Sequence, residues 1–279
     1  MRIKEIIKKI PGVAGVRNFQ VAFKAPQGFA RDSRKKIRRY RNAYSGKRCF
    51  IIGNGPSLNA SDLDLISNEI SFAANTIYKI FPKTKWRPTF YCIQDEKVLR
   101  DVARDDQADE MKCCEASFVR LYSSRIVREE KLHLHNLIYV PIWNLLKKNY
   151  TPYFSKRADR LVFDGSMVTY LSIQLAVYMG FSKIYLIGMD HNFPFRINRN
   201  GDIEEVDKRI PVHFWEGADE NLKTEKIDVH ANYHELAENS YKEVARVSEK
   251  CGTFKVYNAT RGGKLEVFER VNLEDIVRS

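Results

Sequence analysis

Apolar and polar positions along this 279-residue chain fall into two kinds of segment that take turns. Short, continuous apolar runs read as strands buried on both faces: "RCFIIG" from Arg48, "ISFAAN" from Ile70, "TFYCIQD" from Thr89, "LIYVPI" from Leu137, "SKIYLIGMD" from Ser182 and "TFKVYNAT" from Thr253. Between them lie helical patterns. "NASDLDLISNE" is a polar helix with Asn59 in the capping position, and "DGSMVTYLSIQLAVYMG" is a long apolar helix stopped by Gly180. "HELAENSYKEVARVSEKCG" is an amphipathic helix stopped by Gly252, and "PKTKWRP" reads as a loop between the second and third strands. Alternation of this kind predicts an α/β fold: a Rossmann-like, mostly parallel sheet with helices on both faces. Residues 191–229 break the rhythm. They are polar, carry His213 and Trp215 without a clear period, and predict a lid-like insertion.

Charge alters this picture at one end only. Residues 1–48 hold fifteen Lys or Arg against Glu5 and Asp32, whereas residues 49–279, with 32 bases and 33 acids, are close to neutral. The expected division is therefore a basic tail over 1–47 and one α/β domain over 48–279. In the tail Ile3, Ile6, Ile7 and Ile10 recur at helical spacing among Arg2, Lys4, Lys8 and Lys9, and the cluster "RDSRKKIRRYR" follows. A short basic amphipathic helix of this kind suits an anionic lipid surface; a solvated tail, or a helix packed on a partner, would read the same way. A neutral body without a base-stacking motif argues against nucleic acid as a partner. No apolar run reaches the roughly 18–20 residues of a membrane span, and "MRIKEIIKKIPG" lacks the features of a secretory signal. The five cysteines show no metal or disulfide spacing, and Cys49 and Cys92 fall in apolar strand patterns as core residues. The expected location is the cytoplasm, with peripheral attachment to the inner face of the membrane.

Ligands in such sheets bind at the carboxyl ends of the strands. Four predicted strand ends carry polar residues: Asn54 to Ser57, Asn75, Gln94 with Asp95, and Asp190 with His191 and Asn192. The first, "GNGPSL", has neither the Lys of a Walker A loop nor the spacing of a dinucleotide fingerprint. Its glycines, Gly53 and Gly55, would let backbone amides approach a ligand, Pro56 fixes the turn, and Ser57 is free to cap a helix or bond a phosphate. An ordinary strand-to-helix turn has the same letters.

The combination of "FIIGNGPSL", "FAAN" and "SMVTYLSIQLAVYMGFSKIYLIGMD" resembles the bacterial sialyltransferases of glycosyltransferase family 42. It is similar also to a wider family that includes the archaeal 6-hydroxymethyl-dihydropterin pyrophosphokinases, with a "GxGPSL" start, an Asp at the third strand end and a late "NAT" strand. The resemblance covers residues 48–100 and 160–192 well and 230–270 loosely. It implies a nucleotide-sugar donor, CMP-linked, held by Asn54, Gly55, Ser57 and Asn75; Pro56, Gln94, Asp95, Ser166, Asp190 and Asn192 are expected to complete the donor site, although Gln94 and Asp95 stand where the sialyltransferases have an Asn. A general base on the acceptor hydroxyl would fall on His234, with His230 as the alternative, in an inverting reaction on a glycan or glycolipid that requires no cofactor. Where the sialyltransferases present tyrosines to the leaving phosphate, this chain has His191 and Asn192. The alternative is a Mg2+-dependent pyrophosphokinase, with Asp95 and Asp190 sharing the ion. A third reading is a nucleotide-binding protein without catalysis.

Overall fold

The computed structural model describes residues 27–145, 147, 151–192, 195–197, 203–205, 213–214 and 233–279. The strands are β1 (Arg48–Ile52), β2 (Ser71–Ala74), β3 (Phe90–Ile93), β4 (Ala116–Arg120), β5 (Leu137–Val140), β6 (Ile142–Trp143), β7 (Val162–Phe163), β8 (Lys183–Ile187), β9 (Phe195–Ile197), β10 (Ile203–Glu205), β11 (Lys255–Asn258) and β12 (Glu269–Arg270). The α-helices are α1 (Gln27–Arg38), α2 (Ala60–Leu65), α3 (Glu96–Ala103), α4 (Ser124–Glu129), α5 (Val168–Met179), α6 (Tyr233–Cys251) and α7 (Leu273–Arg278).

Eight strands form one sheet in the order β12-β11-β8-β1-β2-β3-β4-β5, and every pairing in it is parallel. Successive residues of β1 face opposite sides, so Cys49 and Ile51 join a core with Ile37 of α1, α5 and Tyr241 of α6. Phe50 and Ile52 join a second core with Leu63 of α2, Leu99 of α3 and Leu273 of α7. The architecture is Rossmann-like, with helices on both faces as the alternation predicts. From β1 the chain runs outward to β5, then crosses back to lay β8 on the other side of β1. The order therefore reverses between β1 and β8, where such sheets open a crevice at their carboxyl edge.

Several elements are additional to the sequence reading. Residues 116–120 form β4, although Ser117 and Arg120 interrupt their apolar run; burial in the sheet overrides the weak local signal. Residues 77–83 form a 3-10 turn that buries Ile77, Tyr78, Ile80 and Phe81, and residues 96–103 form α3. Within the insertion, β9 and β10 pair antiparallel as a separate two-stranded sheet. As predicted, α5 is buried almost all round and ends at Gly180 in the left-handed conformation (φ 92°). Cys49 and Cys92 are both in the core. No described helix is long and apolar enough to cross a membrane.

The cluster "RDSRKKIRRYR", grouped above with the tail, belongs to the packed body. Ser33 and Ile37 on α1 are buried, and the Ser33 hydroxyl accepts from the Tyr139 amide at 2.9 Å. Lys36 Nζ donates to Leu137 O at 3.3 Å, and Asn136 Nδ2 to the Tyr40 hydroxyl at 3.1 Å. Rising residue numbers on the helix thus meet falling numbers on β5, so α1 runs antiparallel to it. Replacing Ile37 by Ala is expected to lower stability by about 2–5 kcal/mol, as for other buried Ile truncations. A urea transition unchanged by Ile37→Ala would mean that α1 is a detachable tail.

Candidate functional site

The turn after β1 and the turn after β8 interlock. The Gly53 amide donates to Ile187 O at 2.8 Å and the Gly55 amide to Gly188 O at 3.0 Å. A Cβ at Gly53 would stand 2.3 Å from Gly188 O, and one at Gly55 would stand 2.0 Å from Asp190 Oδ2. These glycines make room for the neighbouring turn, and their amides are spent on it. The expectation that both amides cradle a ligand is therefore corrected. Ser57 likewise donates its hydroxyl to Asp190 Oδ2 at 2.8 Å, with its amide at 3.3 Å. The cap of α2 is Asn59, whose side chain accepts from the Asp62 amide.

Asp190 is held from a third side by the loop after β11. Lys264 N donates to Asp190 O at 2.7 Å, and a Cβ at Gly263 (φ 73°) would strike the Asp190 backbone. The "NAT" residues brace that loop: the Thr260 hydroxyl accepts from the Met189 amide, and buried Asn258 bonds Leu265 O and the Thr260 amide. Burial raises the Asp190 pKa above its ordinary 3.8, and the two Ser57 donors pull it partly back.

Beyond this lock, polar atoms line the carboxyl ends of four adjacent strands. Asn54 donates to Ala74 O at 3.1 Å, which fixes its amide so that Oδ1 is buried and, like the three atoms named next, has no partner among the described residues. Asn75, in the left-handed region (φ 55°), has an unpartnered buried Oδ1, and Gln94, tied by Nε2 to Asp164 at 2.8 Å, has an unpartnered Oε1. At the end of β4, Arg120 has a buried Nε with no partner and stands 3.9 Å from Asp164 Oδ2. From β1 to β4 this row spans three strand spacings, about 14 Å. An unsatisfied buried polar group costs about 1–3 kcal/mol. Three acceptors and one guanidinium donor can be satisfied together by a ligand that carries N–H or O–H groups and an anion.

The Asp164 side chain also accepts from the Ser166 amide at 2.8 Å, with Ser166 at φ 60°. Ser166 thereby shapes the turn over β3 and β4, and Gly165 fits closely against Tyr170 and Ser240 of α6. His191 (φ 48°) has Nε2 at 2.9 Å from Glu238 Oε2, so that nitrogen ties β8 to α6 and is not offered to a leaving phosphate, as the sequence reading had it. Asn192 follows, half-buried. His234 lies in the first turn of α6, whose start stands at the carboxyl side of the sheet because Glu238 and Ser240 meet His191 and Gly165 there. His230 lies outside the described residues, as does most of 191–229. One described point of that insertion rests on the site: Phe214 N donates to Asn54 O at 3.1 Å.

Asp95 does not face a shared ion. Its carboxylate caps α3, accepting from the Lys97 and Val98 amides at 2.8 and 3.0 Å. β3 lies three spacings from β8, so Asp95 and Asp190 do not fit a common Mg2+. Among the described residues no group of three or more His, Cys, Asp or Glu is placed to hold a metal. Arg261, considered above only as a residue beyond the last strand, pairs with buried Asp62 and with Glu274. Sequence reasoning missed Arg120, because β4 was not recognised and its terminal residue had no strand end to mark.

A family model described as MptE-like, 6-hydroxymethylpterin diphosphokinase MptE-like, matches residues 28–195. The chain belongs to the MptE-like family. The match takes in α1, β1 to β8 and the whole row of strand ends, which makes the row a feature of the family's part of the chain. A solved structure of the MAf glycosyltransferase from Magnetospirillum magneticum AMB-1 is similar in fold, with a TM-score of 0.52 at 15% identity. That likeness covers 88% of this chain and 39% of the other, so the chain spans about two-fifths of its length. No curated protein matches the chain.

Replacing Asp190 by Asn keeps an acceptor for Ser57 and removes the buried charge. Because the folded pKa of Asp190 is raised, the parent pays for ionisation as pH climbs from 3.8 through the raised value. The stability of Asp190→Asn relative to the parent is expected to grow over that interval and level off above it. Denaturant titrations of both proteins across weakly acid pH test this, and a difference independent of pH would mean that the carboxyl is not buried.

Proposed function

We propose that this MptE-like protein is a transferase whose donor is activated by a nucleoside monophosphate, and that the donor lies along the ends of β1 to β4. The observation that carries this reading is the row of unpartnered atoms of Asn54, Asn75, Gln94 and Arg120. Carboxamide oxygens accept from the N–H and O–H groups of a base, a pterin or a sugar, and a guanidinium binds phosphate.

Family membership favours diphosphoryl transfer from ATP. The acceptor hydroxyl attacks the β-phosphorus, the new O–P bond forms, the bond to the α–β bridging oxygen breaks, and AMP leaves with that oxygen. His234 is the proposed base for the hydroxyl proton. Glycosyl transfer is a second reading. The hydroxyl then attacks the anomeric carbon of a CMP-linked sugar, and CMP leaves with the glycosidic oxygen. Asp95 favours it, because it lies at the end of β3, three strand spacings from β8 and Asp190, too far for the two-carboxylate ion site assigned above to phosphoryl transfer.

The test is product identity. With ATP and 6-hydroxymethylpterin, the full chain is expected to release AMP only when the pterin is present; CMP released from a CMP-sugar on adding a glycan acceptor would put the second reading first. His234→Ala should lower turnover by about 10²–10⁴-fold. Asn75→Gly tolerates the positive φ, removes the unpaired amide, and should weaken nucleotide binding about tenfold at little cost in stability. Undiminished nucleotide binding by Asn75→Gly, or no midpoint shift with any nucleotide, would sink the assignment of the row.

A further inference from the structure

The outward face of α1 carries Arg31, Arg34, Lys35 and Arg38, positions i, i+3, i+4 and i+7 of one helix, all exposed. That spacing stacks four cations in a stripe opposite the face that buries Ser33 and Ile37. Like charges at these separations weaken a helix by a few tenths of a kcal/mol per pair. The helix also has no acid in its first turn. Asp32 lies off the stripe and pairs with Lys36 at 3.3 Å. One acid, Asp159, pairs with the stripe: its carboxylate is 2% exposed, with Arg157 at 2.9 Å and Arg38 at 3.6 Å. Arg34 Nε spends its donor on Asp159 O at 3.1 Å, while Arg31 and Lys35 have no hydrogen bond or ion pair to any described residue. The stripe is thus fixed in place by the buried face, and its charge is left largely uncompensated.

We propose that this stripe is a docking surface for an anionic membrane. No side chain described on α1 is aromatic: Tyr40, just beyond it, is buried, and the exposed large apolar residues among those described are Leu65, Leu145 and Tyr153, none of them on α1. Stacking of single-stranded nucleic acid needs such rings, whereas a lipid headgroup layer needs only clustered cations, each contributing about 1 kcal/mol. Residues 1–10 carry in their sequence an isoleucine and lysine pattern suited to the same kind of surface. Because α1 runs antiparallel to β5, its first residue stands at the carboxyl side of the sheet, the side of the unpartnered row.

The test is co-sedimentation of the full chain with vesicles of neutral phosphatidylcholine, or of phosphatidylcholine mixed with phosphatidylglycerol. Binding is expected to the mixed vesicles only, and to fall as salt rises. Arg31→Gln with Lys35→Gln should weaken it about 30-fold, two residues at about 1 kcal/mol each, with the melting midpoint unchanged. Equal binding to neutral vesicles, or unaltered binding by the double variant, would overturn the proposal. So would a double variant that loses affinity for a homopolymeric RNA while keeping its affinity for the anionic vesicles.

Discussion

Everything at the carboxyl edge of this sheet depends on how closely two turns can approach. β1 and β8 are neighbours whose outgoing chains must diverge, one toward α2 and the other toward the insertion. Gly188 O and the Asp190 carboxylate fill the space that side chains at 53 and 55 would need. The contact is specific in shape and in chemistry, since the same carboxylate takes both Ser57 donors. Its partial desolvation is tolerated because backbone and hydroxyl donors surround it. With that lock closed, Asn54 can reach across to Ala74 and turn its oxygen outward.

The lock also divides the edge into two regions with different duties. On the β8 side, hydrogen bonds are nearly complete: "NAT", Gly263 and Lys264 brace Asp190, and Glu238 braces His191. On the β2 to β4 side they are left incomplete at each strand end in turn. The contrast between a satisfied half and an unsatisfied half is what the proposed donor site rests on.

Much of the fold was legible because fully buried parallel strands advertise themselves as apolar runs, and Gly180 marks a helix end by its conformation. β4 was not legible, since "ASFVR" is short and mixed, and its place is decided by β3 and β5 on either side. The candidate site was half legible. Strand ends rich in Asn and Gln could be listed from the letters, yet the letters do not say whether a polar group is spent or spare. Gly55, Ser57, Asp95 and His191 are spent on neighbours distant in sequence or on a helix that was not foreseen. The Nε of Arg120 is spare, and nothing local marks it. For α1 the charge signal hid a fold signal: Ser33 and Ile37 are two quiet positions in a run of bases.

The central place of β1 has a consequence for the order in which the molecule can be made. Its pairing with β2 spans about twenty residues, but Arg48 pairs with Lys183, and the glycine turn closes only on Gly188 and Asp190. A chain emerging from the ribosome must therefore carry one bare edge of this central apolar strand through the synthesis of some 130 further residues. Closing so long a loop adds little entropy cost beyond a shorter one, but it takes time, and an open parallel edge invites pairing with other chains. Chaperone demand and losses to aggregation should accordingly concentrate before β8 is complete and fall once it docks.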